Sequence, residues 1–428
     1  MRLLHLALIL ALTLSGSLLP ARAAAPAIKA VVETYANIAE ATYADTLAAA
    51  IKLRTSIQTF LAKPNPATLD AARQAWRAAR IPYMQTEAYR FGNKIVDDWE
   101  KKVNAWPLDE GLIDYVAGDY GADSPENELY AANVIANKKI KLAGRTVDTS
   151  RITKALLSRT LHEAGGIEAN VATGYHAVEF LLWGQDLNGT RPGAGNRPAT
   201  DYDVKACTGG HCDRRAQYLR VVTDLLIDDL TWMANQWKKA GSARAVLTKG
   251  GDNAALIAIF TGLGSLSYGE LAGERMKLGL MIHDTEEEHD CFSDNTHNSH
   301  YYDAIGMRNV YLGRYTRTDG SIVSGANVSD LVKDKDGAAD QRVRTAMDLS
   351  IESLGDIVKR AETTEAYDQM IGEGNADGNA IVERAIEALI AQAKEFERAV
   401  VALGLQKVQF EKSNSLDAPE KVGSGRKK

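Results

Sequence analysis

The sequence predicts a mainly α protein of two helical-bundle domains packed together, with minor hairpins. Three observations predict it. Apolar residues recur at helical spacing over long segments, extended runs of strand-like alternation are absent, and turn-forming residues concentrate in one internal stretch.

The first element is not part of the fold. Met1, Arg2 and His5 precede an apolar run over residues 6–19, followed by Pro20-Ala21-Arg22-Ala23-Ala24-Ala25. This is the charged, apolar and small-residue order of a secretory signal, so residues 1–23 are expected to be removed. The run is short for a membrane span, and no cysteine at the cleavage point offers a lipid attachment site. The expected location is the periplasm, with peripheral association with the outer membrane left open.

Residues 24–205 are assigned to a first helical bundle. Val32, Tyr35, Ile38, Leu47 and Ile51 mark one apolar stripe, and Trp76, Ala79 and Tyr83 mark another within a helix expected over residues 69–91, where Pro82 introduces a kink. A hairpin is expected near Ile140 and Val147. Leu187, Gly189, Pro192, Gly193, Gly195 and Pro198 then break the helical pattern and place a domain boundary before residue 206.

Residues 206–408 form the expected second bundle. Its stripes are Val222, Leu226, Leu230, Met233 and Trp237, then Val382, Ile386, Leu389, Ala393, Phe396 and Val400, closed by Gly404 as a C-cap. Tyr315 and Val323, on either side of Asp319-Gly320, suggest a second hairpin. Residues 409–428 turn polar and are expected to be a disordered tail.

The chain has 428 residues and a formal net charge of −6, which falls to about −8 once Arg2 and Arg22 leave with the signal. It has no basic stripe, which argues against nucleic acid as a partner. Of three cysteines, Cys207 and Cys212 bracket a short loop and suit a local disulfide in an oxidising compartment; a metal pair with His211 is the alternative, and Cys291 is left as a buried thiol.

The chemistry concentrates on Gly174-x-His176-x-x-Glu179. His176 and Glu179, three apart on a helix that is apolar nearly all round, project from one face and can reach one cation. Without a metal, the same pair makes an internal hydrogen bond or ion pair. Glu87 extends the Trp76–Tyr83 stripe, and Glu274 falls in a core-facing slot among Ser267, Leu271, Leu278 and Ile282. Three helices thus direct a carboxylate inward, as bundle metal sites do, although Arg77, Arg80, Arg90 and Arg275 are competing partners. In the run of residues 283–300, His289, Asp294 and His297 are further site candidates. Its three consecutive glutamates are expected to fan round a helix and be mostly solvated, and Asp294 or Ser293 could cap the helix that follows. Zincin, nucleophile-elbow, phosphate-loop and dinucleotide motifs are missing.

The stretch Gly174-Tyr175-His176-Ala177-Val178-Glu179-Phe180-Leu181-Leu182-Trp183, the Cys207–Cys212 segment with its Asp213-Arg214-Arg215, and Glu288-His289-Asp290-Cys291-Phe292-Ser293-Asp294 resemble the imelysin family, which includes insulin-cleaving metallopeptidase and iron-regulated protein A. The resemblance covers nearly the whole mature chain. It implies two helical domains with the GxHxxE site between them, a metal ion (iron or zinc) held by His176 and Glu179, and a role in iron acquisition. The expected partners are iron or an iron-containing small ligand and a periplasmic or outer-membrane uptake partner. Zinc-dependent peptidase chemistry and a purely structural site stay open as alternatives.

Overall fold

The computed structural model describes residues 25–422. The expected signal segment, residues 1–23, lies outside the described residues.

Two long helices open the fold. α1 (Ile28–Ala62) buries Tyr35, Ile38, Tyr43, Leu53 and Phe60, and α2 (Pro66–Met84) returns antiparallel to it. The start of α2 is fixed by Asn65, whose side chain accepts the Thr68 N–H while the Thr68 hydroxyl accepts the Asn65 N–H, with Pro66 in the first turn. The helix expected to reach residue 91 ends at Met84, just past Pro82. Glu87–Tyr89 then forms a separate 3₁₀ turn.

α3 (Lys94–Asn104) and the short α4 (Gly174–Trp183) pack against each other, and both lie on α5 (Cys212–Trp237). Although α5 follows the expected boundary at residues 205/206, it packs against α1, α3 and α4, all from before that boundary. Tyr35, Tyr43 and Tyr89 surround Trp237 of α5, the Tyr43 and Trp237 rings stack at 6.1 Å, and Trp99 packs edge-on against Tyr43. The turn-rich stretch is therefore a loop within one packed unit.

The second group begins with α6 (Asp252–Ser265), which continues without a break as a π-helix over Leu266–Lys277 and an α-helical end over Leu278–Ile282. α7 (Thr296–Leu312), α8 (Gly337–Thr363), the short α9 (Tyr367–Ile371) and α10 (Ala376–Ala402) complete it, with Phe396 between Phe260 and Tyr311. α1 also touches α6, and α2 touches α7, so one contiguous apolar core runs through both groups. Two antiparallel hairpins occur where expected: β1 (Lys139–Leu142) with β2 (Arg145–Asp148), and β3 (Arg314–Thr316) with β4 (Ile322–Ser324). Cys207 and Cys212 form a disulfide, and Cys291 is a buried free thiol.

The tail differs from expectation. Gly404, at φ +69°, ends α10 as anticipated, but residues 409–422 are ordered along the α6 helix. Gly264, Gly269 and Gly273 open a groove there: a Cβ on Gly264 would stand 2.1 Å from the Phe410 ring, and one on Gly269 2.5 Å from the Glu411 carbonyl oxygen. The Glu411 N–H donates to Ser265 Oγ, and Ser415 Oγ donates to the Gly273 carbonyl. Polar composition predicted disorder because it counts apolar area, whereas this segment fits over small residues and is held by hydrogen bonds between serine hydroxyls and the backbone.

Candidate metal centre

The site is built on α4, every residue of which is buried. Gly174 starts it with φ +81°, a conformation open to glycine at little cost, and a Cβ there would lie 2.5 Å from the Val103 carbonyl oxygen at the end of α3. The Thr173 hydroxyl donates to the neighbouring Lys102 carbonyl. The helix end of α3 therefore seats directly on the start of α4 and fixes where His176 and Glu179 point.

His176 and Glu179 have no exposed surface and meet through His176 Nδ1 and Glu179 Oε2 at 3.0 Å. The other Glu179 oxygen, Oε1, accepts from the Ser293 N–H (3.0 Å) and Oγ–H (2.6 Å). Both carboxylate oxygens are thus engaged. His176 Nε2, by contrast, is buried without a hydrogen-bond partner.

His176, His289 and Asp290 form a group whose potential ligand atoms, one from each residue, all lie within 4.8 Å of one another. Asp290 is fixed by Arg80 of α2, whose Nη2 donates to Oδ1 at 2.8 Å, and by Asn295 and Ser299 on Oδ2. Arg80 also donates through Nη1 to Asn104 Oδ1 at 2.6 Å, and Asn104 Nδ2 lies 3.2 Å from His289 Nε2. One guanidinium therefore ties Asp290 and, through Asn104, His289 to α2 and α3. The rings of Trp106 and His289 pack on His176 at 5.1 and 4.8 Å.

Burial, helped by the positive field of Arg80, pushes His176 down to about 3, and burial with Arg275 holds His289 well below the ordinary histidine range. Both imidazoles are neutral at physiological pH, the form that ligates metals. Burial and the nearby Asp290 push Glu179 well up. Burial would raise Asp290 too, but Arg80 outweighs it and keeps that carboxylate below its usual range. Two neutral imidazoles and one ionised carboxylate suit iron or zinc. When Glu179 is ionised, it accepts the His176 Nδ1–H and leaves Nε2 as the free donor atom, the usual arrangement behind a metal-bound histidine.

His289 lines a cleft of about 400 Å³ together with Asn104, Trp106, Glu274, Arg275 and Glu287. Its walls carry eight acidic side chains against three basic ones. Such a field favours the approach of cations.

The remaining expected residues lie elsewhere. Glu87 is buried as expected, but it accepts from Arg275 Nη2 at 2.7 Å in a network with Glu270 and Asp303. Glu274 is exposed on the cleft wall, contrary to the core-facing slot assigned to it. The π-helical turns of residues 266–277 close i→i+5 bonds and rotate the phase, so that Arg275 takes the inward position. His297 is buried with Nε2 against Asn298, and Asp294 belongs to a separate carboxylate group. The three glutamates do not fan round a helix: Glu287 and Glu288 are buried in a 3₁₀ turn and the loop after it. Neither Ser293 nor Asp294 caps α7, whose N-cap position is Asn295.

Sequence reasoning missed Asp290 as a member of the site and the positioning roles of Arg80, Ser293 and Trp106. A usable signal existed for one of them. Arg80 stands four residues after Trp76 and three before Tyr83 on an apolar stripe, where a buried arginine calls for a buried anion.

The Imelysin family model matches residues 39–396. Iron-regulated protein A of Synechococcus elongatus is 39% identical over 71 residues, a region that spans 16% of this chain and only 20% of that protein. Among solved structures, an iron-regulated protein A precursor from Parabacteroides distasonis superposes with a TM-score of 0.63 at 17% identity, covering 89% of this chain and 97% of that one. An imelysin-like protein from Psychrobacter arcticum gives 0.56 at 13% identity, covering 90% and 98%. At these identities the structural likeness is one of fold. The family match, spanning most of the chain, is what decides membership: this protein belongs to the imelysin family.

Proposed function

We propose that this chain is an exported, periplasmic iron-handling protein that binds iron, or an iron-containing small ligand, at His176, His289 and Asp290, with Glu179 orienting His176. The single observation that carries this reading is that His176, whose Nε2 is buried and unpartnered, clusters with His289 and Asp290 so that one potential ligand atom of each lies within 4.8 Å of the others. Left unfilled, such an atom costs about 1–3 kcal/mol of lost hydration, and a cation removes that cost. The acidic cleft that His289 lines brings a field attractive to cations up to the edge of the site. The name iron-regulated protein A, carried by a relative matched over a short region, supports iron as the cargo. An uptake protein in the periplasm or outer membrane is the natural partner for such a carrier.

The test is elemental analysis of the purified protein, followed by titration of Fe and Zn into stripped material, for the wild type, His176→Ala and His289→Ala. The expected result is one iron per chain in the wild type and binding at least about tenfold weaker in each variant. A wild type that takes up neither metal would overturn the proposal. Tight zinc binding with chelator-sensitive cleavage of an unfolded protein would replace it with a metallopeptidase.

A further inference from the structure

A second polar cluster lies on the other side of Ser293. Asp186, which follows α4, Asp294, which precedes α7, and Asp368 of α9 each bring a potential ligand oxygen to within 4.8 Å of the others. They come from three separate stretches of chain. Asp368 is 1% exposed, and neither of its carboxylate oxygens has a hydrogen-bond partner; Oδ1 of Asp294 is also buried and unpartnered. Asp186 spends Oδ1 on the N–H and side-chain amide of Asn188.

Glu288, 2% exposed, faces the same group. Its Oε2 is unpartnered, and the charges of Asp368, Asp294 and Asp186 all act on it. Arg77 acts on Asp294 only from a distance, since its Nη2 donates to the Ser293 carbonyl at 2.6 Å.

Like-charged carboxylates gathered out of water repel one another and lose hydration, and among the described residues no cationic side chain forms an ion pair with any of these four to offset either cost. We propose that Asp186, Asp294 and Asp368, with Glu288 behind them, bind a hard divalent cation of the calcium class through oxygen atoms alone. The donor set contains no nitrogen or sulfur, which separates it from the His176 centre and favours an oxygen-loving ion. Asp186 is only partly buried, so water can complete the coordination sphere from that side. A bound ion joins the end of α4, the start of α7 and α9 at one point. It also fixes Asp294 next to Ser293, the residue that holds Glu179.

The experiment is calcium binding to the chelator-treated whole chain by equilibrium dialysis, with thermal melting in parallel. Variants are Asp368→Asn, Asp186→Asn and His176→Ala. The expected result is one calcium ion per wild-type chain, a melting temperature that rises with calcium, and affinity at least about tenfold weaker in both aspartate variants. His176→Ala keeps wild-type calcium binding, so a failure of the iron reading leaves this one standing. Asp186 is the least buried ligand, and its variant serves if Asp368→Asn does not fold. A wild type that retains no calcium, magnesium or manganese at millimolar free ion overturns the proposal, as does calcium binding that neither aspartate variant weakens.

Discussion

Replacing Gly174 by alanine tests the step that links sequence motif to site geometry. The residue sits at φ +81°, and the added methyl would stand 2.5 Å from the carbonyl oxygen and 2.6 Å from the carbonyl carbon of Val103. Both are backbone atoms near the end of α3, so no flexible side chain can give way. The left-handed conformation costs about 1–2 kcal/mol for a residue with a Cβ. Overpacking in a filled interior adds about 1–3 kcal/mol, which gives roughly 2–5 kcal/mol in all. The assay is denaturant unfolding with a free slope, alongside a control, Gly337→Ala. Gly337 opens α8 with no atom near its missing Cβ and no positive φ, so alanine there should be neutral or stabilise by up to about 1 kcal/mol. Because α4 must slide to accommodate the methyl, metal affinity should fall along with stability. A Gly174→Ala protein as stable as the control variant would refute the close seating of α3 on α4 as the reason for this glycine.

Two further outcomes follow from the buried charges. Arg80→Met removes the cation facing Asp290 (2.8 Å, both side chains at most 1% exposed) and should cost about 3–5 kcal/mol in thermal or denaturant unfolding. Adding Asp290→Asn should recover a good part of that loss, and a double variant no better than the single one would show that the charge is not the cause. The third outcome concerns Glu270, which burial would raise but Arg90 and Arg275 hold down to about 2. Its stabilisation is fully present above the unfolded value near 4.5 and is lost as pH falls toward 2. The shift corresponds to roughly 3 kcal/mol; with 19% of the side chain exposed, screening reduces that to about 2 kcal/mol. Glu270→Gln should therefore narrow the difference in stability between pH 5 and pH 2.5, and an unchanged acid slope would count against the Arg90–Glu270–Arg275 network.

Much of the architecture was legible because it is local. The stripes of α1, α5 and α10 repeat at helical period, and the turn residues of the second hairpin stand next to each other in the chain. The disulfide closes over five residues in the same way. The GxHxxE motif was legible as a buried pair because the residues between its members are apolar. What failed depended on phase or on distance. Glu274 was assigned inward by counting α-helical turns through a segment that is π-helical. Asp290 and Arg80 are separated by 210 residues, so the stripe position of Arg80 calls for a buried anion without saying which one. The ordered tail was missed because its attraction lies in glycines of another helix.

The polar interior of this protein is of two kinds, and they carry different weight. Arg197, Asp114 and Arg215 pair their opposite charges, as do Arg275, Glu87 and Glu270, and such networks often merely balance the cost of burying their own charges. Around His176 the balance is deliberately incomplete. Arg80 satisfies Asp290, Ser293 satisfies Glu179, and the metal-ligating atom left without a partner is the second ring nitrogen of His176, the one not bonded to Glu179. A fold selected only for stability would lose little by replacing that histidine together with its partner Glu179 by apolar residues of similar size, because the unpaired nitrogen contributes a cost and no bond. Its retention between Trp106 and His289, with two positioning side chains fixed by separate helices, is explained when a ligand supplies the missing partner. The same reasoning applies to Asp368, whose two free oxygens would be shed by any interior that never meets a cation.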